Sequence, residues 1–178
     1  MEEPGSLEGC TSMGPWGGPG RNEFNFCVKG GIKQIVIVHG QAVDSIIFKG
    51  DNGDGVLKES NKFGGNGGVQ TDKIDIAWPK EYLIGISGSY GTFYEGGPVA
   101  ITSLCFITNR TKYGPFGIHP GTSFSSTPIE GSAIIGFHGR TGLCLEAIGL
   151  HAKPISGCPK NQEIKRWALI LGNKTTGP

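Results

Sequence analysis

Glu146 is the only acidic residue in the apolar segment GFHGRTGLCLEAIGL, residues 136–150. The segment has the pattern of two strands joined by a tight turn at Gly142. A carboxylate that follows such a turn either accepts hydrogen bonds from a ligand held over the turn or points into solvent at the start of the strand. Residues 147–150 alternate between the two faces of the second strand, and a slip of one residue would expose their apolar set. We therefore expect Glu146 to face the turn.

The same region contains the residue types of a thiol enzyme, namely Cys144, His138 and His151. Cys144 lies between aliphatic residues and has no basic neighbour in the sequence. Nothing in the sequence therefore indicates the lowered thiol pKa that a nucleophilic cysteine needs. The sequence predicts a protein without catalytic activity.

A threefold internal repeat predicts the elements that position this region. Glycine-rich turns begin at Gly14, Gly64 and Gly114. Each turn is followed by a pair of strands rich in β-branched and aliphatic residues, within residues 32–48, 81–106 and 132–150. The second strand of each pair starts with Asp44, Thr102 or Glu146. One such hairpin cannot bury its apolar face alone, so the sequence predicts an all-β protein in which three twisted sheets share one core, as in a β-prism or a trefoil.

Composition and charge exclude several classes of protein. The 16 basic and 15 acidic residues give a net charge of +1, and no run of Lys or Arg suggests nucleic-acid binding. No apolar stretch is long enough for membrane insertion, and the N-terminal MEEPGSLEGC lacks the apolar core of a signal peptide. The five scattered cysteines form no CxxC pair, which predicts free thiols, no metal site and no cofactor. GDNGDG at 50–55 lacks EF-hand spacing and is expected to be a hairpin turn.

Six separated motifs occur in order: GPWGGPG at 14–20, DSIIF at 44–48, FGGNGG at 63–68, EYLIGISGSYG at 81–91, SLCFITNRTKYGPFG at 103–117 and GFHGRTGLCLEAIGLH at 136–151. In this order the motifs resemble the jacalin-related lectins of plants over roughly residues 12–153. The resemblance implies a β-prism I fold and non-catalytic carbohydrate binding. Residues 1–11 are then an N-terminal extension, and 154–178 form a C-terminal tail whose structure the sequence does not decide.

The chain is uncut ahead of the first glycine-rich turn, so it resembles the mannose/glucose-binding branch of the family. That branch implies a cytoplasmic or nucleocytoplasmic protein, a homo-oligomer, and mannose/glucose-type glycans or glycoproteins as partners. It also implies one sugar between the first glycine-rich turn and the last hairpin loop, held by backbone N–H groups and by an Asp in a G-x-x-x-D pattern. The matching positions here are Gly20, Arg21, Gly142, Leu143, Cys144 and Glu146.

Two of these positions depart from the family pattern. Glu146 replaces the Asp and displaces the carboxylate by roughly 1 Å, which misaligns its hydrogen bonds. Arg21 replaces a glycine, so a long cation stands where bare backbone should approach the sugar, and it could pair with Glu146. The sequence therefore predicts a mannose/glucose-type lectin of weak or altered affinity. The alternative is a β-prism module that has lost sugar binding and acts through protein partners.

The long second loop, residues 88–98, offers two aromatic side chains to a sugar. Phe93 and Tyr94 could stack on its apolar face, and the alternative is packing within their own loop. Trp16 lies inside a turn that recurs in every repeat, so we expect it to belong to the core.

Overall fold

A computed structural model describes residues 9–92, 94–126 and 131–155. This part of the chain forms thirteen strands and no helix, so it contains no helix that could cross a membrane. The strands are β1 (Thr11–Gly17), β2 (Asn22–Cys27), β3 (Ile32–His39), β4 (Val43–Asp51), β5 (Leu57–Glu59), β6 (Phe63–Gly64), β7 (Gln70–Asp75), β8 (Leu83–Gly91), β9 (Ala100–Thr108), β10 (Lys112–Phe116), β11 (Thr122–Ser125), β12 (Ser132–Thr141) and β13 (Leu145–Pro154). Phe93, Cys158 and nearly all of the C-terminal tail lie outside the described residues.

The strands form three antiparallel sheets, which confirms the predicted architecture. Their strand orders are β1-β13-β12-β2, β10-β9-β8-β11 and β5-β4-β3-β7, with β6 paired to β4. Each sheet is built on one of the three predicted hairpins, namely β12–β13, β8–β9 and β3–β4. The turn at 52–56 joins β4 to β5, so GDNGDG is a hairpin turn as expected.

The first sheet joins the two ends of the domain. β1 pairs with β13, and β2 pairs with β12. The turn between β1 and β2 therefore lies at the same end of the sheet as the loop between β12 and β13. This pairing brings the first glycine-rich turn to the last hairpin loop, although more than a hundred residues separate them in the sequence.

The three sheets share one core. Phe48 of β4, Phe106 of β9 and Phe137 of β12 come from different sheets, and all three are fully buried. The rings of Phe48 and Phe137 stack with centroids 4.4 Å apart, and Phe106 meets Phe137 edge to face at 6.0 Å. Aromatic contacts of this kind add to the free energy gained by burying the rings, so they fix how the sheets pack. Trp16 stacks on Phe124 at 5.3 Å and packs against this core, as predicted.

A second, smaller apolar cluster closes one end of the prism. It consists of Ala42, Ala100 and Cys144. Each of these residues lies two positions before an equivalent residue of the repeat: Asp44, Thr102 or Glu146. The cluster therefore sits where the three hairpin loops meet.

Candidate functional site

A cleft of about 630 Å³ lies between the turn at 18–21 and the loop at 142–144. Its size is within the range of about 300–1,000 Å³ that is typical of small-molecule sites. Its lining residues are Pro19, Gly20, Arg21, Asn22, Pro98, Val99, Gly142, Leu143 and Glu146. The cleft therefore contains five of the predicted site residues, and Cys144 is buried beside it.

Glu146 is the extra residue of a β-bulge. In the β12–β13 ladder Arg140 pairs with Ala147 and Thr141 pairs with Leu145, which leaves Glu146 without an opposite residue. A bulge turns the side chain of the extra residue away from the regular alternation, and bulges are frequent beside binding sites. The backbone carbonyl of Glu146 accepts a hydrogen bond from the N–H of Gly18 at 2.8 Å, which holds the first turn against the bulge.

The Glu146 carboxylate lies between two glycine backbones at the floor of the cleft. A Cβ atom on Gly142 would stand 2.5 Å from Oε1, and one on Gly20 would stand 2.7 Å from Oε2. A side chain at either position would displace the carboxylate from where it lies. The residue is only 6% exposed. Glu146 therefore faces the cleft as an acceptor and is not a solvated side chain.

The neighbouring loop leaves backbone donors available. Gly142 donates its N–H to the carbonyl of Cys144 at 3.1 Å. No hydrogen bond among the described residues uses the N–H of Leu143 or of Cys144. Leu143 lines the cleft, whereas Cys144 is buried beside it. The cleft thus offers a carboxylate acceptor and, at Leu143, a backbone donor, which are the kinds of group that a polyol requires.

Arg21 is exposed at the rim of the cleft. The ion pairs of the described residues are His39–Asp72, Lys49–Glu59 and Arg140–Glu23. The pairing of Arg21 with Glu146 that the sequence suggested is therefore not formed. The Arg140 guanidinium lies on the other side of the same turn, with its Nη2 2.7 Å from Glu23 Oε1.

Comparison with known proteins identifies the family. Residues 13–151 match the family model of the Jacalin-like lectin domain. The chain belongs to the jacalin-like lectin family. It is 47% identical over 152 residues to Jacalin-related lectin 3 of Arabidopsis thaliana, covering 84% of this chain and 25% of that protein. It is 43% identical over 156 residues to the mannose/glucose-specific lectin of Parkia pendula, covering 85% of this chain and 34% of that lectin. This lectin chain thus spans a quarter to a third of the length of these two curated relatives.

Solved structures give the same result for the fold. A mannose-binding jacalin-related lectin from Ananas comosus superimposes on this chain with a TM-score of 0.73 at 34% identity, covering 83% of this chain and 99% of that one. The fold of this lectin is therefore the β-prism I that the resemblance implied. Proteins of this family are carbohydrate-binding and non-enzymatic, which confirms the prediction that the chain is not an enzyme.

The thiol and imidazole groups of this lectin form a structural arrangement. Burial raises the pKa of Cys144 to about 12, and the charges of Glu146 and Asp44 add to this effect. The thiol is therefore protonated at neutral pH and is a poor nucleophile. His151 lies on the outer face of the first sheet, with Ser12 Oγ 2.6 Å from Nδ1 and Asn25 Oδ1 2.8 Å from Nε2.

The second loop contributes different residues to the cleft than expected. Pro98 and Val99 line it, and Val99 packs against the backbone of Gly18. Tyr94 is half exposed, its ring lies over Gly97 of its own loop, and it is not among the lining residues. A contact of Tyr94 with sugar stays a prediction.

The arrangement of Glu146 recurs around Asp44, in the sheet β5-β4-β3-β7 of this lectin. In the β3–β4 ladder Val38 pairs with Ser45 and His39 pairs with Val43, so Asp44 is also the extra residue of a bulge. Its carbonyl accepts the N–H of Gly65 at 2.9 Å, as that of Glu146 accepts the N–H of Gly18.

The Asp44 carboxylate also lies against glycine backbone. Cβ atoms on Gly67 and Gly68 would stand 2.7 and 2.9 Å from its two oxygens. The spacing Gly40-x-x-x-Asp44 and the turn GGNGG at 64–68 are visible in the sequence. Together they could have identified this second site, which sequence analysis missed.

The two carboxylates differ in reach. Glu146 contacts both its turn and its loop, whereas Asp44 contacts only its turn, because Gly40 faces Val69 instead. Asp44 is half-buried, and burial raises the pKa of its carboxyl while His39 opposes the increase. At the third equivalent position, Thr102 is fully buried, its hydroxyl is hydrogen-bonded to that of Ser89 at 2.8 Å, and it supplies no carboxylate.

Proposed function

We propose that this lectin binds mannose/glucose-type glycans or glycoproteins, with weak or altered affinity at the cleft of Glu146. The observation that carries the proposal is a carboxylate held on a bulge against bare glycine backbone, with the N–H groups of Leu143 and Cys144 beside it. The names of similar proteins support the ligand class. Artocarpin was solved with mannotriose, and the Calsepa lectin was solved with a biantennary N-glycan.

The geometry favours weak binding of a single sugar. Four or five hydrogen bonds at about 1 kcal/mol net each amount to about 4–5 kcal/mol, which corresponds to a Kd on the order of a millimolar. Glu146 spans the space between Gly20 and Gly142 and is almost fully buried, so its oxygens are less accessible to hydroxyl groups than those of Asp44. Arg21 adds bulk at the opposite rim.

The Asp44 site supports binding of a neutral sugar. Asp44 is half-buried, and no hydrogen bond among the described residues occupies its carboxylate. Its turn presents the bare backbone of Gly67 and Gly68. We therefore assign most of the affinity for neutral monosaccharides to Asp44 rather than to Glu146.

Titration with methyl α-mannopyranoside tests this assignment. We expect Asp44→Asn to weaken binding by about tenfold, because the acceptor loses its charge, and Glu146→Gln to weaken it by less than about threefold. Thr102→Ser is the matched control at the third equivalent position, because serine keeps the hydroxyl that bonds Ser89. Binding is followed by chemical shifts of backbone amides, which also locate the sugar.

Two results would contradict the proposal. If Asp44→Asn and Glu146→Gln both bind like the parent, neither carboxylate contacts the sugar. If the parent binds no glycan on an array and no methyl mannoside in solution, the chain has lost sugar binding, and the protein-interaction module becomes the favoured function.

The proposal includes the homo-oligomer and the cytoplasmic or nucleocytoplasmic location expected from the sequence. Two or more weak sites on one particle raise avidity by about a hundredfold or more without new contacts, so an oligomer makes millimolar sites useful. Light scattering at micromolar concentration is expected to give at least twice the mass of 18.7 kDa. A monomer mass would contradict this part of the proposal.

A further inference from the structure

The two sites differ most at one equivalent position of their turns. Gly17 and Gly64 both adopt left-handed backbone angles, with φ of 131° and 128°, and the next glycine in each turn donates to the bulge carbonyl. Counting from these glycines, Arg21 is equivalent to Gly68. Gly68 leaves bare backbone beside its carboxylate, whereas Arg21 places a guanidinium at the rim of the cleft of Glu146.

No acidic group of the described residues neutralises this guanidinium. Glu23 is the nearest acid along the chain, and its carboxylate is paired with Arg140. Arg140 also donates to the carbonyl of Gly20 at 3.4 Å, so it occupies the outer side of the turn. Within residues 9–92, 94–126 and 131–155, no ion pair or hydrogen bond engages the side chain of Arg21. Its donors are therefore open to a ligand.

We propose that the cleft of Glu146 selects saccharides that bear an anionic group, a carboxylate or a sulfate ester, which binds Arg21. The inference rests on the proposed function and names the ligand class of that site. A planar guanidinium matches both anions with paired hydrogen bonds, which are stronger than bonds between neutral groups. The neutral hydroxyls of the sugar bind at the floor of the cleft.

The charge of Glu146 makes this selection position-specific. Its carboxylate accepts hydroxyl hydrogens at the floor and repels a second anion there. Arg21 and Glu146 form no ion pair, so the two charges act on different parts of a ligand. An anionic substituent is therefore favoured only where it projects towards the turn at 18–21, and it is disfavoured elsewhere on the same sugar.

The experiment uses the full chain with Asp44→Asn, which leaves the cleft of Glu146 as the main site. The probes are methyl α-mannopyranoside, its regioisomeric monosulfates, and a mannose disaccharide that ends in a uronic acid. We expect one sulfate regioisomer or the uronic acid to bind about three- to tenfold more tightly than the neutral sugar at about 20 mM salt. The preference should shrink at about 500 mM salt, because Arg21 is exposed and salt screens its charge.

Substitutions separate this inference from the function itself. Arg21→Gln should abolish the preference for the anionic probe, Arg21→Lys should keep part of it, and Arg110→Gln, at an exposed arginine in another turn, should leave it unchanged. If the preference survives Arg21→Gln, or if no anionic probe exceeds the neutral sugar, the inference is wrong while lectin activity stands. If neither kind of probe binds any variant or the parent, both the inference and the proposed function fail.

Discussion

Acidification from about pH 7 to about pH 4 is expected to lower the free energy of unfolding by about 3 kcal/mol through His151 alone. Burial lowers the pKa of His151 from 6.5 to about 4, and the charge of His138 contributes to the decrease. The unfolded chain takes up this proton near pH 6.5, whereas the folded chain resists it until about pH 4. The stabilisation that comes from neutral His151 is therefore fully present above about pH 6.5 and is lost progressively as the pH falls towards 4.

The two imidazoles connect the edge strands of the first sheet to its central hairpin. His151 of β13 bonds Ser12 of β1 and Asn25 of β2, and His138 donates from Nε2 to the carbonyl of Met13 at 3.1 Å. Their rings stack with centroids 4.7 Å apart, and burial also lowers the pKa of His138. The charged groups facing the pair are Glu23 and Arg140, which neutralise each other. Protonation therefore places a charge at the buried junction of β13 with β1 and β2, the two strands that flank the turn at 18–21.

Denaturant unfolding at a series of pH values measures this effect. The diagnostic range lies between about pH 6.5 and pH 5, where most carboxylates remain ionised and each such histidine contributes a slope of up to ~1.4 kcal/mol per pH unit. His151→Gln should flatten the slope in this range. A free energy of unfolding that is constant over this range would contradict the role of the pair.

The sequence predicts the sheets because the information for them is local. Each central hairpin combines alternating apolar residues with glycine at its ends, and these patterns depend only on neighbours in the chain. The pairing of β1 with β13 and of β2 with β12 is long-range. The family resemblance implied only that the first glycine-rich turn and the last hairpin loop share one sugar, and no local pattern specifies which distant strands pair.

The orientation of Glu146 was predicted correctly, but by an incomplete argument. The alternation of residues 147–150 was expected to fix the register through an exposed and a buried face. Both faces of this part of β13 are buried, with Ala147 and Gly149 on the covered outer side. The carboxylate turns to the cleft because Glu146 is the extra residue of a bulge, and a bulge depends on the partner strand. Sequence analysis missed the Asp44 site for the same reason. The spacing Gly40-x-x-x-Asp44 is present in the sequence, but the bulge that orients Asp44 depends on the partner strand.

The double substitution Arg21→Gly with Glu146→Asp is expected to raise the affinity for methyl α-mannopyranoside by about 1–3 kcal/mol at this cleft. The first change restores the bare backbone that Gly68 presents at the equivalent turn. The second withdraws the carboxylate from the backbone of Gly142, so that it contacts only its turn, as Asp44 does. Each change opens space for a sugar hydroxyl between an acceptor and backbone donors. Neither change alone opens both the side of the cleft at Arg21 and the side at Gly142.

Titration in the Asp44→Asn background measures this gain, since the second site no longer obscures it. Arg21→Gly and Glu146→Asp alone should each recover less than half of the gain, because the sugar must reach the carboxylate and the turn together. The backbone amides of Leu143 and Cys144 should show the largest shifts on saturation, since no hydrogen bond from the described part of the chain uses their N–H groups. If the double variant binds no better than its Asp44→Asn parent, the cleft of Glu146 is not a site for neutral sugar and binds a ligand of another class.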